Sequence, residues 1–260
     1  MSWPHYVLLW LSGVAAGAVN AVAGGGTLIT FPTLIALGVP PLVANMSNTV
    51  ALCPGYFGAT FVQRRDLHSQ RRRILVLVPL AAIGGSVGAY VLRHTSAGAF
   101  DELAPVLVLA AVALLAVGPQ VKRWALRRTD AQLASAPYRD QLSLAAVPTF
   151  AIAMYGGYFG AGMSVMIIAV LSVGLVDQLV RISALKQLLA LAINGAAASY
   201  LLISNGHRGL LDWPVVVTIG TAAVIGGGMG ARLSQRINEA TLRWLVIAIG
   251  VGFALVYWLR

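Results

Sequence analysis

The sequence predicts an all-α integral membrane protein made of two inverted repeats, each a broken or re-entrant helix followed by three transmembrane helices. Three observations carry that prediction. Of the 260 residues, 58% are hydrophobic and 10% charged, with a mean hydropathy of +0.82, and apolar runs long enough to cross a bilayer recur along the chain. Two of those runs are interrupted by clustered glycines, Gly24-Gly25-Gly26 and Gly160-Ala161-Gly162. Finally, the second half repeats the first: Gly24 and Gly160, Gly38 and Gly174, and Ser47 and Ser183 are each 136 positions apart. The small-residue pattern at Gly84, Gly85 and Gly88 returns at Gly226, Gly227 and Gly230.

Taken in order, the chain opens Met1-Ser-Trp-Pro-His5 without the Lys/Arg-bearing start of a signal peptide, so the first apolar run reads as a membrane segment and not as a cleaved signal peptide. That run extends from Tyr6 to Gly38, longer than the roughly 20 residues that span a bilayer, with the glycines inside it. Each consecutive glycine costs a helix about 1 kcal/mol relative to alanine, so the helix stops and restarts there. Pro40-Pro41 marks a turn, and a helix follows from Leu42 to Phe61. A basic loop with Arg64, Arg65, His68, Arg71, Arg72 and Arg73 precedes helices at Ile74 to Leu92 and Leu103 to Val117. Residues 1–119 thus form the first repeat, and residues 120–140, with Lys122, Arg123, Arg127, Arg128 and Arg139, a basic cytoplasmic linker. The second repeat, 141–260, holds a broken segment from Gln141 to Gly174 and helices at Gln178 to Ile203, Trp213 to Leu233 and Leu242 to Leu259.

Counting Lys and Arg places the loops Arg64 to Arg73, Lys122 to Arg139 and Arg232 to Arg243 together in the cytoplasm. That holds only if each broken segment enters and leaves on one side, which inverts the halves and puts both termini outside the cell. The net charge of +10 is then a matter of membrane orientation, and nucleic acid is not an expected partner. Consecutive glycines at Gly24 to Gly26 predict a true break. The pairs four residues apart, Gly84 with Gly88 and Gly226 with Gly230, predict close helix packing.

A broken helix at membrane depth is tolerated only where protein or a polar cavity surrounds it. Restarting half-helices aim unpaired N–H groups into such a cavity, which suits an anion. The candidate substrate-binding residues are therefore Gly24, Gly25, Gly26 and Thr27 at one break and Gly160, Gly162 and Ser164 at the other. Polar side chains flank them. Asn45, Asn48 and Thr49 share one helix face by their spacing, with Ser47 at its margin; Ser183, Lys186 and Gln187 repeat that spacing, and Arg181 matches Asn45. A cation as deep as Lys186 needs a partner unless it snorkels, so it reads either as a ligand for an anion or, with Arg181, as an interfacial anchor. Asn20 and Asn194 serve equally as ligands or as interhelical glue, and Tyr155, Tyr158 and Phe159 either line a gate or pack. His5, His68, His94 and His207 fall in or near loops, and one cysteine, Cys53, excludes an internal disulfide. With no catalytic pair, metal cluster or nucleotide motif in view, neither an enzyme nor a cofactor is expected.

The passages Gly17-Ala-Val-Asn20-Ala-Val-Ala-Gly-Gly-Gly26-Thr-Leu-Ile-Thr-Phe-Pro32 and Leu37-Gly-Val-Pro-Pro-Leu-Val-Ala-Asn45-Met-Ser-Asn48-Thr-Val-Ala resemble the TauE/SafE sulfite exporter family, as does Gly-Gly-Tyr-Phe-Gly160-Ala-Gly162. Val180-Arg181-Ile182-Ser183 departs from the family's Ala-x-x-Ser pattern. The resemblance implies an inner-membrane permease exporting sulfite or small organosulfonates. Proton coupling, through the substrate or through Asp177, and a homodimeric assembly are left open. An anion channel and a non-transporting membrane subunit are the alternatives to a secondary carrier.

Overall fold

A computed structural model describes residues 2–22, 24–134, 140–205, 211–233 and 239–258. Ala23 of the first interruption, Arg139 of the linker and His207 lie outside the described residues. The described residues form ten α-helices and one short 3-10 turn, without a strand. In the first half these are α1 (Trp3–Val22), α2 (Thr27–Ala36), α3 (Pro41–Val62), α4 (Arg71–His94) and α5 (Ala97–Ala134). The second half contributes α6 (Leu142–Tyr158), α7 (Met163–Gly174), α8 (Leu179–Asn205), α9 (Trp213–Leu233) and α10 (Glu239–Trp258). Six of them, α1, α4, α5, α8, α9 and α10, are long and apolar enough to cross a membrane. Large apolar side chains such as Val147, Ile203 and Val217 stand exposed on the exterior, as they do where lipid is the solvent.

Both glycine clusters interrupt their segments. Gly24, Gly25, Gly160 and Gly162 take φ of +73°, +117°, +77° and +77°, a region closed to most L side chains, so the chain can reverse within a few residues. Gly26 packs directly on the Ala16 carbonyl, which folds α2 back along α1. The Gln141 N–H donates to the Gly174 carbonyl at 2.8 Å, which sets the start of α6 beside the end of α7. That second segment is a hairpin that leaves where it enters. One boundary differs from the sequence reading: α5 runs to Ala134, so most of the expected linker continues a helix and only its end lies beyond.

Named contacts fix the directions of the helices. Gly13 meets Ile219 and Ala222, Gly17 meets Ala223 and Gly227, and Ala18 meets Gly230, so α1 and α9 run the same way; Ala51 on Gly220 and Gly55 on Gly227 add α3 to that set. On the other side, Gly84 meets Phe150 and Gly88 meets Tyr158, while Gln70 reaches Arg181, Gly85 meets Ile193 and Arg93 reaches Ser204, making α4, α6 and α8 parallel. The two sets oppose one another where α3 crosses α8, since Thr60 reaches Gln187 and Cys53 faces Gly195. The pairing of α1 with α9 is mirrored by α6 with α4, that of α3 with α9 by α8 with α4, and that of α2 with α10 by α7 with α5. Gly88 and Gly226 serve close packing: a Cβ on either would overlap the Met154 or Val14 carbonyl.

Candidate functional site

The two interruptions meet. A Cβ on Gly24 would overlap the Ser164 side chain, Gly25 abuts Leu115 of α5, and Gly162 packs against Leu114 one residue away. Thr27, the first residue of α2, and Ser164, the second of α7, are both buried. The first tip, however, satisfies its own amides. Asn20 Oδ1 accepts from the Gly25 N–H at 3.2 Å and the Gly26 N–H at 2.7 Å, and the Gly24 N–H donates to the Val19 carbonyl at 2.8 Å. Those three N–H groups, expected to face an anion, already have acceptors in the protein, and Asn20 acts as a remote cap for α2. At the second tip the Tyr155 hydroxyl donates to the Ala161 carbonyl at 2.7 Å, bracing the turn from within.

A cavity of about 550 Å³ lies on one side of these tips. Ala21 and Val22 from the end of α1, Val165 from α7, and Ser183 and Lys186 from α8 form its inner wall, while Lys122 and Arg243 stand at the rim with Asp66. Lys186 is 1% exposed, so its ammonium is buried deep in the wall and does not snorkel to an interface. Gln187 beside it is fully buried, and neither its Oε1 nor its Nε2 has a hydrogen-bond partner. Arg64, Arg65 and Arg232 line a shallow depression on the same end. All three basic segments of the sequence thus contribute to one end of the molecule. On the far side of the tips, Phe31 packs edge-on against Phe100, Phe159 and Phe253, with ring centroids 5.5–6.4 Å apart.

The remaining candidates do not join this set. Because α3 and α8 are antiparallel with Thr60 level with Gln187, Asn45 sits fifteen residues up α3, about 22 Å away at 1.5 Å per residue. The single cradle expected from the sequence is therefore two: Ser183, Lys186 and Gln187 on the basic side of the tips, and Asn45 and Asn48 on the other side, where Asn45 Nδ2 donates to the Tyr158 carbonyl at 2.8 Å. Ser47 is already engaged, its Oγ accepting from the Asp212 N–H at 2.9 Å where α9 begins. Arg181 pairs with Asp177 at 3.0 Å and is not part of the cavity lining.

That ion pair belongs to a cluster that sequence reasoning missed. Arg73, counted as a loop residue, is buried; its guanidinium donates to both oxygens of Asp140 at 2.7 and 2.9 Å, to Asp177 Oδ2, and to the Val176 carbonyl. Gln70 closes the set, accepting from Arg73 and donating to the Asp66 and Arg181 carbonyls. The available signal was scarcity: of eight acidic residues in the chain, two bracket the second broken segment.

A helical bundle with an apolar exterior, broken hairpins that meet inside it and a basic-lined cavity beside them has the architecture of a polytopic membrane transporter. The chain belongs to the TauE/SafE family: residues 9–257 match the family described as "Sulfite exporter TauE/SafE". It is 23% identical over 245 residues to a "Probable membrane transporter protein" of Haemophilus influenzae, covering 92% of this chain and 89% of that one. It is equally similar, over 251 residues and 95% and 90% of the two chains, to "Probable membrane transporter protein ORF9" of a Sinorhizobium species. A 104-residue stretch is 28% identical to "Probable membrane transporter protein YfcA" of Escherichia coli, covering 39% and 38% of the two chains.

Proposed function

We propose that the protein is a secondary transporter of the inner membrane that exports small oxyanions, sulfite or an organosulfonate, by alternating access between two inverted repeats. The observation that carries this reading is the cavity at the basic end, where Lys186 and Ser183 line a wall beside the meeting tips and Lys122 and Arg243 stand at the entrance. Cations at the mouth of a cleft raise the local concentration of an anion, and a buried ammonium gives it a counter-charge at the end of its path. The inverted arrangement is supported by the directions of the helices: α1, α3 and α9 oppose their partners by position, α6, α8 and α4. Under the positive-inside rule the basic end is cytoplasmic, which puts both termini outside. In this conformation the cavity faces the cytoplasm while Phe31, Phe100, Phe159 and Phe253 fill the outer side. Rocking one half against the other about the Gly24–Ser164 contact exchanges those roles.

The substrate set under this proposal is Ser183 and Lys186 in the cavity wall, with Gln187 beside them and Gly162 and Ser164 at the tip, while the Gly160 N–H is held by the Tyr155 carbonyl at 3.2 Å. Radiolabelled sulfite counterflow in proteoliposomes tests it. Wild type is expected to saturate and to show counterflow, and Lys186→Ala to lose at least about tenfold in rate, roughly 1.4 kcal/mol. Undiminished flux in the variant removes Lys186 from the site. Non-saturating flux indicates a channel, and no flux at all indicates a subunit without transport activity.

A further inference from the structure

We propose that Asn45 and Asn48 of α3, together with the carboxyl end of α6, bind a sodium ion. Both side chains are buried, at 0% and 1% exposure, and the Oδ1 of each has no hydrogen-bond partner. A buried acceptor left unmade costs about 1–3 kcal/mol, and native proteins keep few of them. Here two stand three residues apart on one face of one helix.

The orientation of the Asn45 amide follows from its surroundings. Its Nδ2 donates to the Tyr158 carbonyl at 2.8 Å, and the flipped amide would set oxygen against oxygen. What remains at Asn45 is therefore an acceptor, which repels an oxyanion and attracts a cation. Tyr158 is the last residue of α6; its carbonyl accepts from Asn45 and keeps a second lone pair, and the helix adds the negative end of its dipole at the same place. Half-helix carboxyl ends and unwound carbonyls are where membrane carriers coordinate their coupling cations. The asparagine and backbone ligands named here are neutral, which favours a monovalent ion over divalent ones, whose protein sites draw on carboxylates.

The position also has a consequence for coupling. Phe159, the residue after Tyr158, packs on Phe31 of α2, so a cation held at this end of α6 bears directly on the contact between the two hairpins. Sodium binding itself does not depend on which anion is exported.

The experiment measures radiolabelled sodium on the purified full-length chain in detergent, with choline chloride as background and no sulfite or sulfonate present. Saturable binding is expected, displaced by unlabelled sodium and not by choline or by equimolar potassium. Asn48→Asp, which keeps the shape and adds a charge, should tighten binding about tenfold, and Asn48→Leu, similar in volume but without the acceptor, should abolish it. Absent saturable binding in wild type, equal displacement by potassium, or unchanged affinity in Asn48→Asp each overturns the proposal, and the last holds even where the leucine variant does not fold. Because no transported anion is present, failure here leaves the export reading standing, and failure of sulfite counterflow leaves the sodium site standing.

Discussion

At the base of the α6/α7 hairpin, Asp140 and Asp177 grip Arg73 of α4. At the base of the α1/α2 hairpin, the positions 136 residues earlier are Pro4 and Pro41, and the residue corresponding to Arg73 by the Gly84–Gly226 register is the fully buried Val215. One base is tied to the opposite half by ions, and the matching positions of the other carry no charge. The Asp140 carboxylate also accepts from the Val176 N–H at 2.9 Å, so one residue holds both the ends of its own hairpin and the arginine of the other half. An ionic tie can open without exposing apolar surface, whereas a buried valine gives up stabilisation in proportion to the area uncovered. Two hairpins of one plan can therefore yield at different moments.

The largest expected effect breaks this contrast at the ionic end. Arg73→Met leaves Asp140 without its partner and Asp177 with Arg181 alone, and removing one partner of a buried ion cluster costs about 3–5 kcal/mol. Val215→Ala, at the matching apolar position, removes two methyl groups and should cost about 2 kcal/mol or less. Thermal unfolding of both variants in detergent measures the difference. A larger loss from the valine would show that charge does not hold the α6/α7 base.

A second effect sharpens the comparison at the tips, where the hairpins touch. Gly24→Ala forces a Cβ into a left-handed backbone position, at about 1–2 kcal/mol, and into the Ser164 side chain as well. Ser164→Gly removes the overlap and leaves the backbone strain. The double variant should therefore be more stable than the sum of the two single changes predicts, by about 1 kcal/mol. Strict additivity would mean that the tips move independently.

What the sequence makes legible here are features that depend on the backbone alone. Clustered glycines mark both interruptions because few side chains can follow those φ values, although the run Gly226-Gly227-Gly228 stays helical inside α9, and the repeat in register announces which elements correspond. The site is less legible because spacing on a helix says nothing about the direction of its partner. Asn48 and Lys186 look alike as polar residues in matched helices, yet opposite orientations of α3 and α8 carry them to different ends. Capping is hidden for a similar reason: Asn20 precedes the Gly26 amide by six residues, and only the reversal of the chain brings its oxygen within 2.7 Å. Arg73 reads as one more loop arginine until α6 and the α7–α8 connection are placed around it.

The smallest effect concerns acid, and it separates the two bases by whether anything there titrates. Burial alone would raise the Asp140 carboxyl, but hydrogen bonds from the Arg73 guanidinium and the Val176 amide, with the charges of Arg73 and Arg72, outweigh it and hold the group below the usual carboxylate range. A carboxyl with a lower pKa folded than unfolded contributes its stability in full above the unfolded value, about 3.9, and loses it as pH falls through the folded value. Asp140 should thus leave the melting midpoint unmoved between neutral pH and about pH 5, and weaken the fold only below about pH 4. Asp140→Asn should lie lower at neutral pH and converge with wild type in acid. Hydrogen exchange localises the change: amides near Val176 should lose protection first, while those near Val39, next to Pro40 and Pro41 in the other hairpin, keep theirs over the same interval. Equal loss at both would mean that the ionic tie and the proline corner differ in composition but not in how they hold.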